Sequence, residues 1–278
     1  MAITASQVKD LREKTGAGMM DCKKALVESG GDEEKAILYL REKGLAKAAK
    51  KAGRATSEGL ITPFISADGK TAVISELLCE TDFVAKGDDF QGFAKALAEK
   101  IAGLDVTSGA AEDLPADVAD VTDLIAKLGE NMGVGRFAKV VTDGVLGVYI
   151  HSNNKLGVIV ELTGSDDADM AKDVAMHVAA MNPTCISPDE LPQDVLEREK
   201  ELYKRQAMDE GKPEAIAEKI VMGRLSKFYK EVCLLEQAFI KEDKKSIKDI
   251  VGKAKVASFH RLALGEGGSQ ETDAEAEG

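Results

Sequence analysis

The residues able to do chemistry are few and scattered. The three histidines, His151, His177 and His260, lie far apart, and no His-x-x-x-His pair, nucleophile elbow or Walker loop occurs in the chain. The four cysteines, Cys22, Cys79, Cys185 and Cys233, form no Cys-x-x-Cys pair. They read as buried free thiols of a reducing compartment, not as a metal ligand set. His177 sits beside Val174 and Val178 on an apolar helical face and reads as a hydrogen-bonded core residue. His260 falls in mid-strand with no acid near it in sequence, and His151 ends a strand at a loop, a good place for a contact residue. Gly16-Ala17-Gly18 follows a helix instead of a strand and lacks the later glycine, so it is a poor phosphate cradle. Acids are plentiful, but no spacing selects a catalytic pair. Neither metal nor cofactor is expected.

A different kind of chemistry, the insertion of a side chain into a partner, is suggested by the stretch Thr81-Asp82-Phe83-Val84-Ala85. Thr71 to Cys79 before it reads as a buried strand, with Val73, Ile74, Leu77 and Leu78 as its apolar run. Asp88 and Asp89 after it are N-cap candidates for a helix whose apolar face is Phe90, Phe93, Ala94, Leu97, Ala98 and Ile101. Phe83 thus lies on a strand-to-helix connection. Its ring either folds back on its own domain or protrudes as an anchor, the role in which aromatics dominate interfaces. Position alone leaves both open.

The stretch Thr81–Ala85 resembles the signature of the elongation factor Ts family, exchange factors for the translational GTPase elongation factor Tu. Thr15-Gly16-Ala17-Gly18-Met19-Met20-Asp21-Cys22-Lys23-Lys24-Ala25-Leu26 resembles the family's N-terminal signature. Lys127-Leu128-Gly129-Glu130-Asn131, His177-Val178-Ala179-Ala180, Gly211-Lys212-Pro213 and Gly223-Arg224 are further similarities, in the family's order. The resemblance implies binding to elongation factor Tu and release of its GDP. Thr81, Asp82, Phe83 and Val84 would wedge against the GTPase domain, shift its magnesium and loosen its phosphate-binding loop. It also implies that Arg12, Met19 and Met20 meet the GTPase domain, unless the methionines merely fill a small bundle. Leu128 and Gly129 would support the Phe83 contact, and His151 would belong to a second contact with a β-barrel domain. Whether two such heterodimers pair is left open. The competing classes are a non-catalytic scaffold built on the small helical domain and an enzyme with an unrecognised site.

The rest of the chain must position these residues. Its 278 residues hold two or three domains. The net charge of −12 argues against a direct nucleic-acid surface, and no apolar run approaches a membrane span. The N-terminus shows no signal-peptide pattern, so a cytoplasmic protein is expected. Thr4-Ala5-Ser6-Gln7 is a capping-box pattern; Gly16, Gly30-Gly31 and Gly44 are the stops of three short helices in residues 1–45, similar to the ubiquitin-associated fold of the family. Residues 46–57 form a basic linker. From Arg41 to Arg54 six basic residues face one acid, a net +5, either a solvated helical extension or a steering patch for an acidic partner.

From residue 58 the expectation is an α+β core of two subdomains with antiparallel sheets, 58–141, then 142–186 with 233–265. Pro63 suggests an edge strand, Asp68-Gly69 a two-residue hairpin turn, and residues 102–115 a loop. A helix through Val118 and Leu124 stops at Gly129, strands follow at 136–141, 145–151 and 156–162, and a helix spans 167–181. Ser187-Pro188-Asp189-Glu190 reads as a second capping box, opening an inserted helical hairpin over 187–232 with Pro213 at a first helical position. Residues 266–278 carry five acids and no base, an expected disordered tail.

Overall fold

In the computed structural model, residues 3–266 are described; the expected tail from 267 onward lies outside them. Three helices come first: α1 (Ala5–Thr15), α2 (Met19–Glu28) and α3 (Glu33–Lys51). Thr4 and Gln7 form the reciprocal cap of α1, and the Asp32 side chain caps α3. Leu11, Cys22, Ala25, Leu26 and Ala36 are the buried centre of this bundle.

One expectation fails here. Gly44 does not end the third helix, which runs on to Lys51, so residues 46–51 of the expected linker are helical. A glycine inside a helix costs about 1 kcal/mol relative to Ala. Two features offset that cost. Ala46 to Lys51 are strong helix formers, and the bare backbone at Gly44 approaches Ala126 and Thr122, leaving a Cβ at 3.4 Å from the Ala126 methyl.

The core then proceeds as β1 (Glu58–Ile65), β2 (Thr71–Cys79), α4 (Asp82–Ala85), α5 (Asp88–Ala102), β3 (Ser108–Gly109), α6 (Ala116–Ala119), α7 (Thr122–Leu128) and β4 (Met132–Val141). Its sheet has the order β1-β2-β4-β3, with β1 and its Pro63 on the edge. The second half is β5 (Val145–Ile150), β6 (Leu156–Thr163), α8 (Ala168–Met181), α9 (Gln193–Asp209), α10 (Glu214–Val232), β7 (Ala238–Phe239), β8 (Glu242–Ser246), α11 (Ile247–Val251) and β9 (Lys255–Ala263). A second antiparallel sheet, β5-β6-β9, and a small β7-β8 ribbon belong to it.

The side-chain alternation of the strands explains the layering. On β2, Val73, Leu77 and Cys79 face α5 and α7, whereas Ala72 and Ile74 pack with Ile159 of β6 and Leu262 of β9. On β6, Val158, Val160 and Leu162 turn the other way, onto α8. The core is therefore four layers, helices–sheet–sheet–helices, which is why β2 reads as a nearly continuous apolar run. Gly157 lies where the sheets touch, since a Cβ there would come within 2.6 Å of the Ile61 side chain.

Other details differ from expectation. The β1–β2 turn is closed by Ser66 and Thr71 and so is longer than two residues, with Gly69 at φ +69°. Asp88 and Asp89 are in the first turn of α5 while Gly87 holds the cap, and Pro213 precedes α10 instead of starting it. Ser187 caps nothing; Glu190 instead accepts the Ile186 N–H at 2.9 Å, and residues 188–190 form a 3₁₀ turn. The expected helix through Val118 is broken at Asp120 into α6 and α7, and residues 102–115 contain β3.

Candidate functional site

The connection after β2 is a single helical turn, α4. Its Thr81 hydroxyl accepts the Val84 N–H, the side-chain cap that short helices need. The same hydroxyl donates to Glu130 Oε1 at 2.7 Å, while the Thr81 N–H donates to Glu130 Oε2 at 3.0 Å. One carboxylate therefore grips the residue that opens the turn. Beneath it the Cys79 thiol donates to the Thr81 carbonyl at 3.1 Å. Burial, with the nearby Glu130 charge second, pushes that thiol up to about 11, so it stays a neutral donor.

The grip depends on α7. Gly129 ends that helix at φ +84°, a left-handed cap that glycine adopts freely. The reversal delivers Glu130 to Thr81 and Asn131 to Glu80, whose carboxylate accepts the Asn131 N–H at 2.5 Å. That bond, with the Arg54 charge, holds the Glu80 carboxyl below its usual range. The Asn131 amide donates to the Arg54 carbonyl at 2.7 Å, so the chain leaving α3 is tied to the same point.

Held this way, Ala85 is buried and Val84 partly so, against the cluster that contains Phe90, while Leu128 packs on it from α7. Phe83 is 84% exposed. Of the two orientations open for its ring, the outward one is adopted. Asp82 is exposed as well and pairs with Lys86 at 2.6 Å. That hydrogen bond and charge hold its carboxyl below the ordinary value, with Lys155 adding a smaller pull.

The remaining residues lie on the helical bundle and on the loop after β5. Met19 and Met20, in the first turn of α2, are 57% and 73% exposed and do not fill the bundle. Arg12 is exposed on α1. The α1–α2 turn approaches Lys127 of α7, whose side chain lies against Gly16 and pairs with Asp89 at 2.7 Å. Between bundle and core is a cleft of about 450 Å³ lined by Asp21, Arg41, Gly44, Lys47, Asp123 and Lys127. His151 follows β5, exposed, with Nδ1 3.0 Å from the Tyr149 hydroxyl. Its loop is fastened to β1: Asn154 O accepts the Ile61 N–H at 2.7 Å, and Lys155 pairs with Glu58 at 2.6 Å.

The family model for elongation factor TS matches residues 80–266, a span that begins at the residue before Thr81. The chain belongs to the elongation factor Ts family. Curated members bear this out along nearly the whole length. It is 50% identical to elongation factor Ts of Nitratidesulfovibrio vulgaris (strain DP4) over 293 aligned positions, covering 99% of this chain and 100% of that one. Against elongation factor Ts of Desulfovibrio desulfuricans it is 51% identical, covering 95% and 98%, and against that of Clostridium botulinum (strain Eklund 17B) 49%, covering 95% and 94%. Membership makes this a translation elongation factor. Among the described residues, no group of three or more His, Cys, Asp or Glu is placed to hold a metal ion, and no helix is long and apolar enough to cross a membrane.

Sequence reasoning missed Glu130, Asn131 and Arg54. Glu130 and Asn131 stood in a recognised motif, but Glu130 meets Thr81 across 49 residues, a pairing that local pattern cannot supply.

Proposed function

We propose that the protein binds elongation factor Tu carrying GDP and speeds GDP release, with Phe83 as the inserted side chain. The observation that carries the reading is an 84%-exposed phenylalanine on a turn braced from two sides, in a chain of this family. An aromatic ring kept in water has no role in its own core, and a braced turn presents it without an ordering cost at binding. Thr81, Asp82, Phe83 and Val84 press on the GTPase domain and unsettle its magnesium and phosphate-binding loop. Leu128 and Gly129 position them. Arg12, Met19 and Met20 widen the contact, since Met surfaces adapt to a partner, and His151 reaches the second domain.

No covalent step is involved. A factor that weakens nucleotide binding is itself weakened by nucleotide to the same degree, so each displaces the other through a ternary complex.

Stopped-flow release of a fluorescent GDP from elongation factor Tu, with a parallel melting curve, tests this. Phe83→Ala leaves the melting temperature unchanged within error, because no core packing is lost. Release slows by roughly thirtyfold if the ~2 kcal/mol of an interface hot spot falls on that step. A variant that melts early yet exchanges normally sinks the wedge assignment. Binding without accelerated release in the wild type points to a scaffold.

A further inference from the structure

The helical hairpin leaves and re-enters the core through two cysteines. Cys185 and Cys233 form a parallel bridge: Val232 O accepts the Cys185 N–H at 3.3 Å, and Cys185 O accepts the Leu234 N–H at 2.9 Å. Two further backbone bonds, Thr184 N–H to Val232 O at 2.8 Å and Leu235 N–H to Ile186 O at 3.0 Å, extend the stem on either side. The two sulfurs lie 3.6 Å apart, in direct contact. Directly opposed residues on hydrogen-bonded strands have the Cα separation that a disulfide needs. The sulfurs have to close from 3.6 Å to the roughly 2 Å of an S–S bond.

We propose that Cys185 and Cys233 are a dithiol site that a hydroperoxide oxidises to an intramolecular disulfide, closing the stem of the hairpin. Cys185, 9% exposed, meets the oxidant, whereas Cys233 is fully buried behind it. The Cys185 thiolate attacks one oxygen of hydrogen peroxide, the O–O bond breaks, and hydroxide leaves and takes up a proton as water. The Cys233 sulfur then attacks the resulting sulfenic acid and displaces a second water as the S–S bond forms. Two thiols lose two electrons and two protons, and peroxide becomes two waters. A dithiol such as dithiothreitol reverses it by exchange. Burial pushes both thiols up, Cys233 to about 12, while its hydrogen bond to Cys233 pulls Cys185 back down.

The bond would join residues 48 apart, enclosing α9 and α10. Closing so long a loop constrains the unfolded chain, so the oxidised protein should melt roughly 5–10 °C higher than the reduced one.

The full-length protein is treated with hydrogen peroxide, quenched, unfolded and alkylated, and its peptides are mapped by mass spectrometry. The expected result is loss of two of the four alkylatable thiols. The missing pair maps to one linked peptide containing Cys185 and Cys233, and dithiothreitol restores both. A Cys22→Ala, Cys79→Ala double variant keeps the response, which separates it from chemistry at the other thiols. Cys233→Ser abolishes the link and leaves Cys185 trappable by dimedone. Retention of all four thiols, a link to Cys22 or Cys79, or a bond between two chains overturns the assignment.

Discussion

At the scale of single residues, the arrangement concentrates on the Glu130 carboxylate. It accepts two hydrogen bonds from Thr81, one of which passes through the hydroxyl that caps the Phe83 turn. Glu130→Ala leaves Phe83 itself in place but frees its support. The loss is about 1 kcal/mol of preorganisation, roughly fivefold in GDP release. Because Glu130 is only half-buried and both of these bonds go to the exposed Thr81, the melting temperature should move little, and Thr81→Ala added to Glu130→Ala should cost little more in release rate. Independent, additive losses would show that the two residues do not act as one brace. The ring's chemistry was legible in the sequence, since a phenylalanine between an acid and a valine on a connection had only two fates. Position alone did not show which fate it takes, because the deciding bonds come from across the fold; only the resemblance to the family favoured the outward one.

At the scale of elements, the joint between α3 and α7 matters most. Helix caps and stops are local, and Thr4, Asp32 and Gly129 behave as their types suggest. Gly44 misleads for a physical reason: the helix formers from Ala46 to Lys51 and packing against α7 carry the helix through it, and that neighbour is invisible in a local window. The joint makes a two-sided expectation. Gly44→Ala adds a methyl at ordinary contact with Ala126 and gains about 1 kcal/mol of helix propensity, so it should raise stability or leave it level. Gly44→Leu overfills the same space and should lever the bundle off α7. Hydrogen exchange over residues 116–128 would increase in the leucine variant, with slower GDP release and an unchanged melting transition for the two-sheet core. Equal protection in both variants would show that the joint is not close-packed in solution. Truncations meant to remove the bundle belong after residue 55, since a cut at 46 severs α3. The β3 strand and the β7–β8 ribbon escaped sequence reading because their strands are held by tertiary pairing, with little apolar pattern of their own.

At the scale of the whole molecule, two histidines, His177 fully buried and His260 half-buried, give stability a pH dependence. His177 donates through Nε2 to Gln237 Oε1 at 3.0 Å and accepts the Ile240 N–H at Nδ1, 3.3 Å away. The Gln237 amide is itself oriented by its bond to the Glu231 carbonyl. A second proton on the ring would set two donors against each other. Burial pulls His177 down from its usual value, the Gln237 bond opposing, and pulls His260 down likewise against the Glu161 charge. Near pH 6.5 the unfolded chain thus takes up protons that the folded chain refuses. The stabilisation is complete above that pH and is lost as pH falls below it. Melting temperature should drop between pH 7.5 and 5.5, and His177→Gln, though less stable at pH 7.5, should show a shallower drop. A flat wild-type profile over that range would rule the histidines out. The exposed carboxylates held low by their partners, such as Asp32 and Asp249, act in a separate window below about pH 4.

The unbroken α3 has a mechanical consequence. Nineteen residues of helix make a spoke of about 28 Å. Its inner end meets non-helical backbone between Arg54 and Ser57, and a turn of ten degrees there would sweep the far end through roughly 5 Å. The contact of Gly44 with Ala126 is the stop against which the spoke rests. Phe83 on the core and the Met19–Met20 turn on the bundle are then the jaws of a calliper, and the contact at a single glycine sets the gap between them.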